Sequence, residues 1–197
     1  MIKRIFDILS SGTVLFFGFP FFLVVSLLII LDSRGGVFFR QIRAGKGNVD
    51  FGIYKFRTMR PDSEAKGQIT VGGRDPRITK VGYWLRRFKV DEFPQLINVL
   101  IGDMSIVGPR PEVRKYVDMY NAEQLKVLSV RPGLTDYASI EYLNENDLLE
   151  ASENPDETYI NEIMPSKLKL NLKYIEDKSF LLDLKLIGNT VGKLFKN

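Results

Sequence analysis

The 197-residue sequence predicts an α+β fold, mostly helical with a small β-hairpin, attached to a membrane-directed N-terminal segment. Three observations predict it. No charged residue lies between Asp7 and Asp32, a run long enough for a bilayer, which takes about 20 apolar residues to cross. Strand-like alternation is confined to two runs between residues 37 and 59, on either side of a Gly-rich turn. Beyond residue 79, apolar residues recur mainly at helical spacing, punctuated by Gly and Pro.

The first element is the anchor, with Pro20 at its midpoint, where a missing amide and a ring clash predict a kink. A cleaved signal peptide would have a shorter apolar stretch and a small-residue cleavage motif, whereas Asp32-Ser-Arg-Gly-Gly36 follows here. Basic residues flank both ends, Lys3 and Arg4 before and Arg34, Arg40 and Arg43 after. Basic flanks stay on the cytoplasmic side, which favours a helix–break–helix that enters one leaflet and returns. A Pro-kinked spanning helix is the competing form, since membrane helices tolerate Pro.

Val37–Ile42 and Phe51–Met59 read as the two strands, joined by the turn Arg43–Asn48. Alternation places Lys55 and Arg57 on one face, suited either to phosphate or to a solvated edge. Residues 61–77 form a polar loop. A helix starting at Thr79 should bury Val81, Trp84, Leu85 and Phe88 and leave Arg86 and Arg87 off that face. The next helix starts near Asp91, buries Phe93, Leu96, Ile97 and Leu100, and ends at Gly102. Short helices fit 112–120 and 122–129, Arg131-Pro-Gly133 makes a turn, and 156–177 is helical with an interruption at Pro165. The last segment, from Ser179, carries Phe180, Leu184, Ile187, Val191 and Leu194 at helical spacing, a stripe that fits a core or a membrane interface equally. Lys193 and Lys196 suit its C-terminal dipole.

Composition narrows the chemistry. At 45% hydrophobic and 26% charged residues, the chain can bury a core. It has no cysteine and no histidine, which excludes disulfides, thiol nucleophiles, thiolate zinc sites and imidazole acid–base catalysis. Carboxylates, Lys, Arg, Tyr and Ser/Thr remain, with a hard cation if a metal takes part. The net charge of +4 suits an anionic partner, but the basic residues are scattered and form no stripe with aromatics, so nucleic acid is not expected.

Two local patterns could carry chemistry. Asp91-Glu92 opens a helix, where positive potential favours ionised carboxylates and bound phosphate. Adjacent helical residues point about 100° apart, so the pair can divide roles but cannot act on one atom; plain capping explains the dipeptide as well. In Gly108-Pro-Arg-Pro111, two rings stiffen the support of Arg110, suiting bidentate phosphate recognition or a rigid connector.

Taken in order, Gln41-Ile-Arg43-Ala-Gly45, Tyr54-Lys-Phe-Arg-Thr-Met59, Arg86, Asp91-Glu-Phe-Pro-Gln-Leu-Ile-Asn-Val-Leu100, Gly102-Asp-Met-Ser-Ile-Val-Gly-Pro-Arg-Pro111 and Arg131-Pro-Gly133 resemble the bacterial sugar transferases. These are monotopic phosphoglycosyl transferases acting on polyprenyl phosphate, and the resemblance covers nearly the whole chain. It implies a re-entrant anchor broken near Pro20 in the bacterial inner membrane, with the catalytic domain on the cytoplasmic face. It also implies transfer of sugar-1-phosphate from a UDP-sugar to undecaprenyl phosphate, with release of UMP. Asp91 would attack the β-phosphorus and form a covalent phosphosugar intermediate, Glu92 would assist its displacement, and Mg²⁺ would sit on Asp91. Lys55, Arg57, Arg86, Arg110 and Arg131 would bind phosphate.

The implied domains are an anchor at 1–34, a catalytic domain at 35–178 and an interfacial amphipathic helix at 179–197. Membrane lipid is a further partner, and a homodimer is compatible with the sequence. Two departures stand out: Asp136-Tyr137 where many members have Gly-Trp, in a stretch (134–146) that also lacks their Gly-Arg pair, and Asn171 where many have Asp. They motivate one alternative, a catalytically inactive membrane-bound scaffold of the same fold.

Overall fold

The computed structural model describes residues 1–61, 63 and 75–194. Most of the loop predicted at 61–77, as well as Lys196, lies outside them. The first element, α1 (Ile2–Asp32), is a single helix with Pro20 inside it. The expected break is therefore not an interruption of the helix: a proline removes one amide donor, and the turns on each side keep theirs. With a mean hydropathy of 2.9 over its most apolar window, α1 is long and apolar enough to cross a membrane. Only Asp7, Ser11, Val25 and Ile29 of its residues are buried, while Phe16 and Phe17 are about three-quarters exposed.

β1 (Phe38–Ala44) and β2 (Asp50–Phe56) form the antiparallel hairpin, from the pair Phe38–Phe56 to the pair Ala44–Asp50. The second strand ends three residues earlier than expected, and Met59 instead forms an isolated bridge with Ile78. α2 (Lys80–Arg87) starts where the sequence places it, with the Thr79 side chain accepting the amide of Gly82. α3 (Gln95–Ile101) follows a short 3₁₀ turn and ends on Gly102, whose φ of 103° is the left-handed stop that glycine supplies.

The buried stripes of α2 and α3 differ from those expected. On α2, Leu85 is buried, but Trp84 and Phe88 are exposed and stack on each other with centroids 6.1 Å apart. On α3 the buried side is Gln95, Leu96, Asn98 and Val99, whereas Phe93 and Leu100 are exposed. Periodicity assumed that apolar means inward. Here α3 docks through a polar residue: the Asn98 side chain accepts the amide of Tyr54 (3.0 Å) and donates to the Gly52 carbonyl (2.9 Å), tying the helix to β2.

Two short strands escaped the periodicity argument. β3 (Ser105–Val107) and β4 (Gly133–Thr135) pair in parallel, and the second replaces the turn expected at Arg131–Gly133. Gly133 has a steric reason: a Cβ there would lie 2.1 Å from the Gly108 nitrogen. Beyond Pro111 come α4 (Arg114–Val117), a 3₁₀ stretch at Gln124–Ser129, α5 (Tyr137–Glu141), α6 (Glu145–Glu150) and α7 (Pro155–Thr158). A π-helical turn (Tyr159–Ile163) runs without a break into α8 (Met164–Asp177), so the interruption expected at Pro165 is a widened turn just before the proline, which accommodates its missing amide.

The last helix, α9 (Phe180–Leu194), buries Asp183 and Leu186 and leaves Phe180, Leu184 and Val191 of the predicted stripe exposed. The largest core cluster joins Val113, Tyr116, Val127, Leu149, Tyr159, Ile163, Met164 and Leu168. A second joins Val25 and Ile29 of α1 to Phe56 and Leu85, so the anchor is part of the packing that holds β2 and α2.

Candidate active site

The dyad stands on the 3₁₀ turn Val90–Glu92, which is set up by Lys89 in the left-handed region (φ 55°). A non-glycine residue there is mildly strained, a feature that concentrates at functional sites. The turn sends the two carboxylates into different surroundings. Glu92 accepts the ammonium of Lys55 from β2 at 3.0 Å and the guanidinium of Arg110 from the Gly-Pro-Arg-Pro segment. Burial opposes its charge, but Arg110 and Lys55 outweigh burial and hold the carboxyl well below the usual range. Asp91 is buried at 7% exposure and accepts no hydrogen bond from a described residue. Burial raises its proton affinity, the neighbouring Glu92 charge adds to this, and Lys55, Arg86 and Lys89 pull the other way.

Arg86, in the last turn of α2, donates to the Thr58 hydroxyl at 2.8 Å. Burial lowers its pKa, and the nearby Asp91 charge counters this. The structure thus brings Asp91, Glu92, Lys55, Arg86 and Arg110 together as one electrostatic group. Arg57 and Arg131 lie elsewhere. The Arg57 guanidinium reaches the end of α1, donating to the carbonyls of Ser33 (2.6 Å), Arg34 (2.7 Å) and Ile29 (3.3 Å). The Nε of Arg131 donates to the Gly102 carbonyl at 2.7 Å, at the far end of α3 from the dyad.

Several supporting residues were not singled out as site residues. Asp136, fully buried, accepts the backbone amides of Arg110 (3.3 Å) and Ser139 (2.6 Å). The departure at this position is therefore a cap on α5 that also holds the backbone of Arg110. Arg43 donates to the Pro111 carbonyl and to Glu112, both at 3.3 Å, and Glu112 accepts the Tyr159 hydroxyl. The motif Gln41-Ile-Arg43 contained this signal, but spacing alone could not say that Arg43 stiffens the Pro-Arg-Pro support. Asn171, 5% exposed, lines a small cavity with Gly45, Arg110, Tyr120 and Leu128, with room for about one water. Its Oδ1 has no partner among the described residues.

The described residues hold no cluster of three metal-ligating side chains. What they offer a divalent cation is one hard, unengaged carboxylate, Asp91, beside cations that would hold phosphate. Mg²⁺, which keeps several waters and shares phosphate oxygens with one or two carboxylates, fits that donor set.

The chain is 38% identical over 193 residues to the UDP-N-acetylgalactosamine-undecaprenyl-phosphate N-acetylgalactosaminephosphotransferase of Aeromonas hydrophila, covering 96% of this chain but 43% of that protein. It is 37% identical over 197 residues to the UDP-glucose:undecaprenyl-phosphate glucose-1-phosphate transferase of Caulobacter vibrioides, covering 98% and 69%. It is also 37% identical over 202 residues to the exopolysaccharide production protein PSS of Rhizobium leguminosarum bv. phaseoli, covering 97% and 94%. The chain thus spans less than half the length of the Aeromonas relative. The bacterial sugar transferase family model matches residues 1–197 from end to end, and the chain belongs to that family.

Proposed function

We propose that the protein transfers sugar-1-phosphate from a UDP-sugar to undecaprenyl phosphate and releases UMP. The names of its relatives supply the substrate classes. The observation that carries the reading is the division of labour in the dyad: Glu92 is clamped by two cations, while the neighbouring Asp91 has no hydrogen-bond partner among the described residues.

A carboxylate whose proton affinity is raised is more basic than a solvated one, and so a better nucleophile once ionised. Its oxygen attacks the β-phosphorus, the bond from that phosphorus to the bridging oxygen breaks, and UMP leaves with the bonding pair. In the second half-reaction an oxygen of undecaprenyl phosphate attacks the same phosphorus and returns Asp91 as carboxylate. Arg110, Lys55 and Arg86 meet the charge that builds on the phosphoryl oxygens. Arriving phosphates compete with Glu92 for Arg110 and Lys55, which frees Glu92 to assist the second displacement. Mg²⁺ held by Asp91 and the diphosphate would add charge neutralisation.

The re-entrant anchor is part of the proposal, with the body on the cytoplasmic face. It is supported by where the ends of α1 go. Lys3 and Arg4 at one end bond to Val107 and Val99, and Asp32 at the other accepts the Val81 amide at 2.8 Å. Both ends meet the same body, so a helix that crossed would have to release one of them. The exposed Trp84, Phe88, Phe93 and Leu100, and the outer stripe of α9, suit the lipid interface.

The test is intact mass of the full chain incubated with a UDP-sugar and Mg²⁺ without acceptor. A phosphosugar adduct that is lost on adding undecaprenyl phosphate, and absent in Asp91→Asn, is expected. Product formation with no adduct and strictly sequential kinetics would remove the covalent step. No UMP release from any UDP-sugar by the folded protein would leave the scaffold reading.

A further inference from the structure

An apolar anchor has no obvious use for a carboxylate, yet α1 carries Asp7, 3% exposed, one turn beyond Lys3. Charged groups in such a segment are costly and need partners. The partners here are specific. One oxygen of Asp7 accepts the Ile106 amide at 3.1 Å, and the other accepts the Ser105 hydroxyl at 2.9 Å. Lys3, on the same face of the helix, donates to the Val107 carbonyl (2.9 Å) and to Asp183 of α9 (2.6 Å). Tyr174 of α8 donates to the same Asp183 at 2.7 Å.

The contacts with Ser105, Ile106 and Val107 fall on β3, whose strand neighbour among the described residues is β4. The side chains of α1 thus engage the backbone of β3 at Ile106 and Val107 and its side chain at Ser105. β3 leads straight into Gly108-Pro-Arg-Pro111, and Arg110 lies three residues beyond Val107. The proline-stiffened segment moves as a unit with the strand that feeds it, so the position of β3 sets where the Arg110 guanidinium meets Glu92.

We infer that Asp7, aided by Lys3, is a positioning residue: through β3 it fixes Arg110 against the dyad, so that the membrane helix orients the site as well as anchoring it. The inference rests on the transferase reading for the role of Arg110, but the latch itself can be tested without it. A site held within about half an ångström loses rate steeply when its support loosens.

The experiment uses the full chain in lipid nanodiscs, with Asp7→Asn as an isosteric change that cannot accept both bonds. Hydrogen–deuterium exchange, read without substrates, is expected to rise about tenfold at the amides of Ile106, Val107, Gly108 and Arg110, while those of residues 38–56 keep their rates. In UMP release with a UDP-sugar and undecaprenyl phosphate, kcat is expected to fall about tenfold, with the donor KM changed by less than about twofold. Unchanged exchange at 106–110 would overturn the inference. A rise spread evenly over the body would reduce Asp7 to general stability and overturn it too, as would local loosening with kcat intact. Ser105→Ala, which removes one bond and keeps the charge, should show the same pattern at about threefold, and decides the matter if Asp7→Asn does not fold. Wild-type protein that releases no UMP would sink the transferase reading, while the exchange result still decides the latch.

Discussion

Arg110 and Arg57 form an instructive pair, because each guanidinium is held in place by oxygen acceptors of the same body. Arg110 faces a carboxylate, that of Glu92, and its side chain is one-third exposed. Arg57, 8% exposed overall, faces the backbone carbonyls that end α1. A carboxylate is an anion that an arriving phosphate can replace. The carbonyls of Ser33 and Arg34 lie past the last turn of α1, beyond the reach of an intrahelical amide, and no ligand takes their place. What makes an arginine functional here is the exchangeability of its partner, which motif position does not reveal.

Substitution at the dyad should break this comparison most. Asp91→Asn keeps shape and removes the nucleophile, so UMP release should fall by about 10⁴-fold or more. It also removes a buried charge that has no hydrogen-bond partner among the described residues, so the melting temperature should not drop. A variant that unfolds would mean that Asp91 is structural. Arg110→Ala comes next, at about 10²- to 10³-fold in kcat, with Arg110→Lys recovering only part because a point charge cannot reproduce the fork. Steady-state UMP release beside thermal melts separates these outcomes.

Arg57→Ala sharpens the contrast by reversing the readouts. It removes the donor to three carbonyls at and just past the end of α1 in a buried setting, and unfolding by denaturant should show a loss of about 2–4 kcal/mol. At a temperature where the variant stays folded, kcat should remain within about threefold of wild type. A kcat loss as large as that of Arg110→Ala, without a change in stability, would return Arg57 to the phosphate-binding set.

Sequence made legible what depends on local pattern. The hairpin, the Thr79 cap and the Gly102 stop each follow from residues within a few positions of one another. The dyad and the Gly-Pro-Arg-Pro arginine were visible as a motif, and they do meet in space. What stayed hidden depends on partners far along the chain. β3 and β4 have three residues each, too few for alternation to register, and their pairing rests on contacts 28 residues apart. The exposed faces of Trp84 and Phe93 were misplaced because periodicity takes water to be the only solvent; under the interfacial placement proposed above, lipid would accept these aromatic side chains. Asp7 was read only as the border of an apolar run, since nothing nearby in sequence announces Ser105 and Ile106 as its partners.

The smallest expected effect belongs to Arg131, which shares with Arg57 the habit of serving a helix end. Its Nε donates to the Gly102 carbonyl just past α3, a helix of seven residues and so about 10 Å long. The dyad precedes the other end of that helix. Arg131→Ala should therefore cost less than about 1 kcal/mol in denaturant unfolding, as expected for an exposed hydrogen bond, and leave kcat within about twofold. Its remaining guanidinium nitrogens lie toward the surface beside Gly102, where a lipid phosphate could meet them, so the two readouts need a third. Flotation with vesicles containing anionic lipid distinguishes the cases. Binding weakened with kcat unchanged would make Arg131 a lipid contact. A kcat loss above about tenfold with flotation intact would place it among the groups that hold the donor, against the geometry that separates it from Asp91.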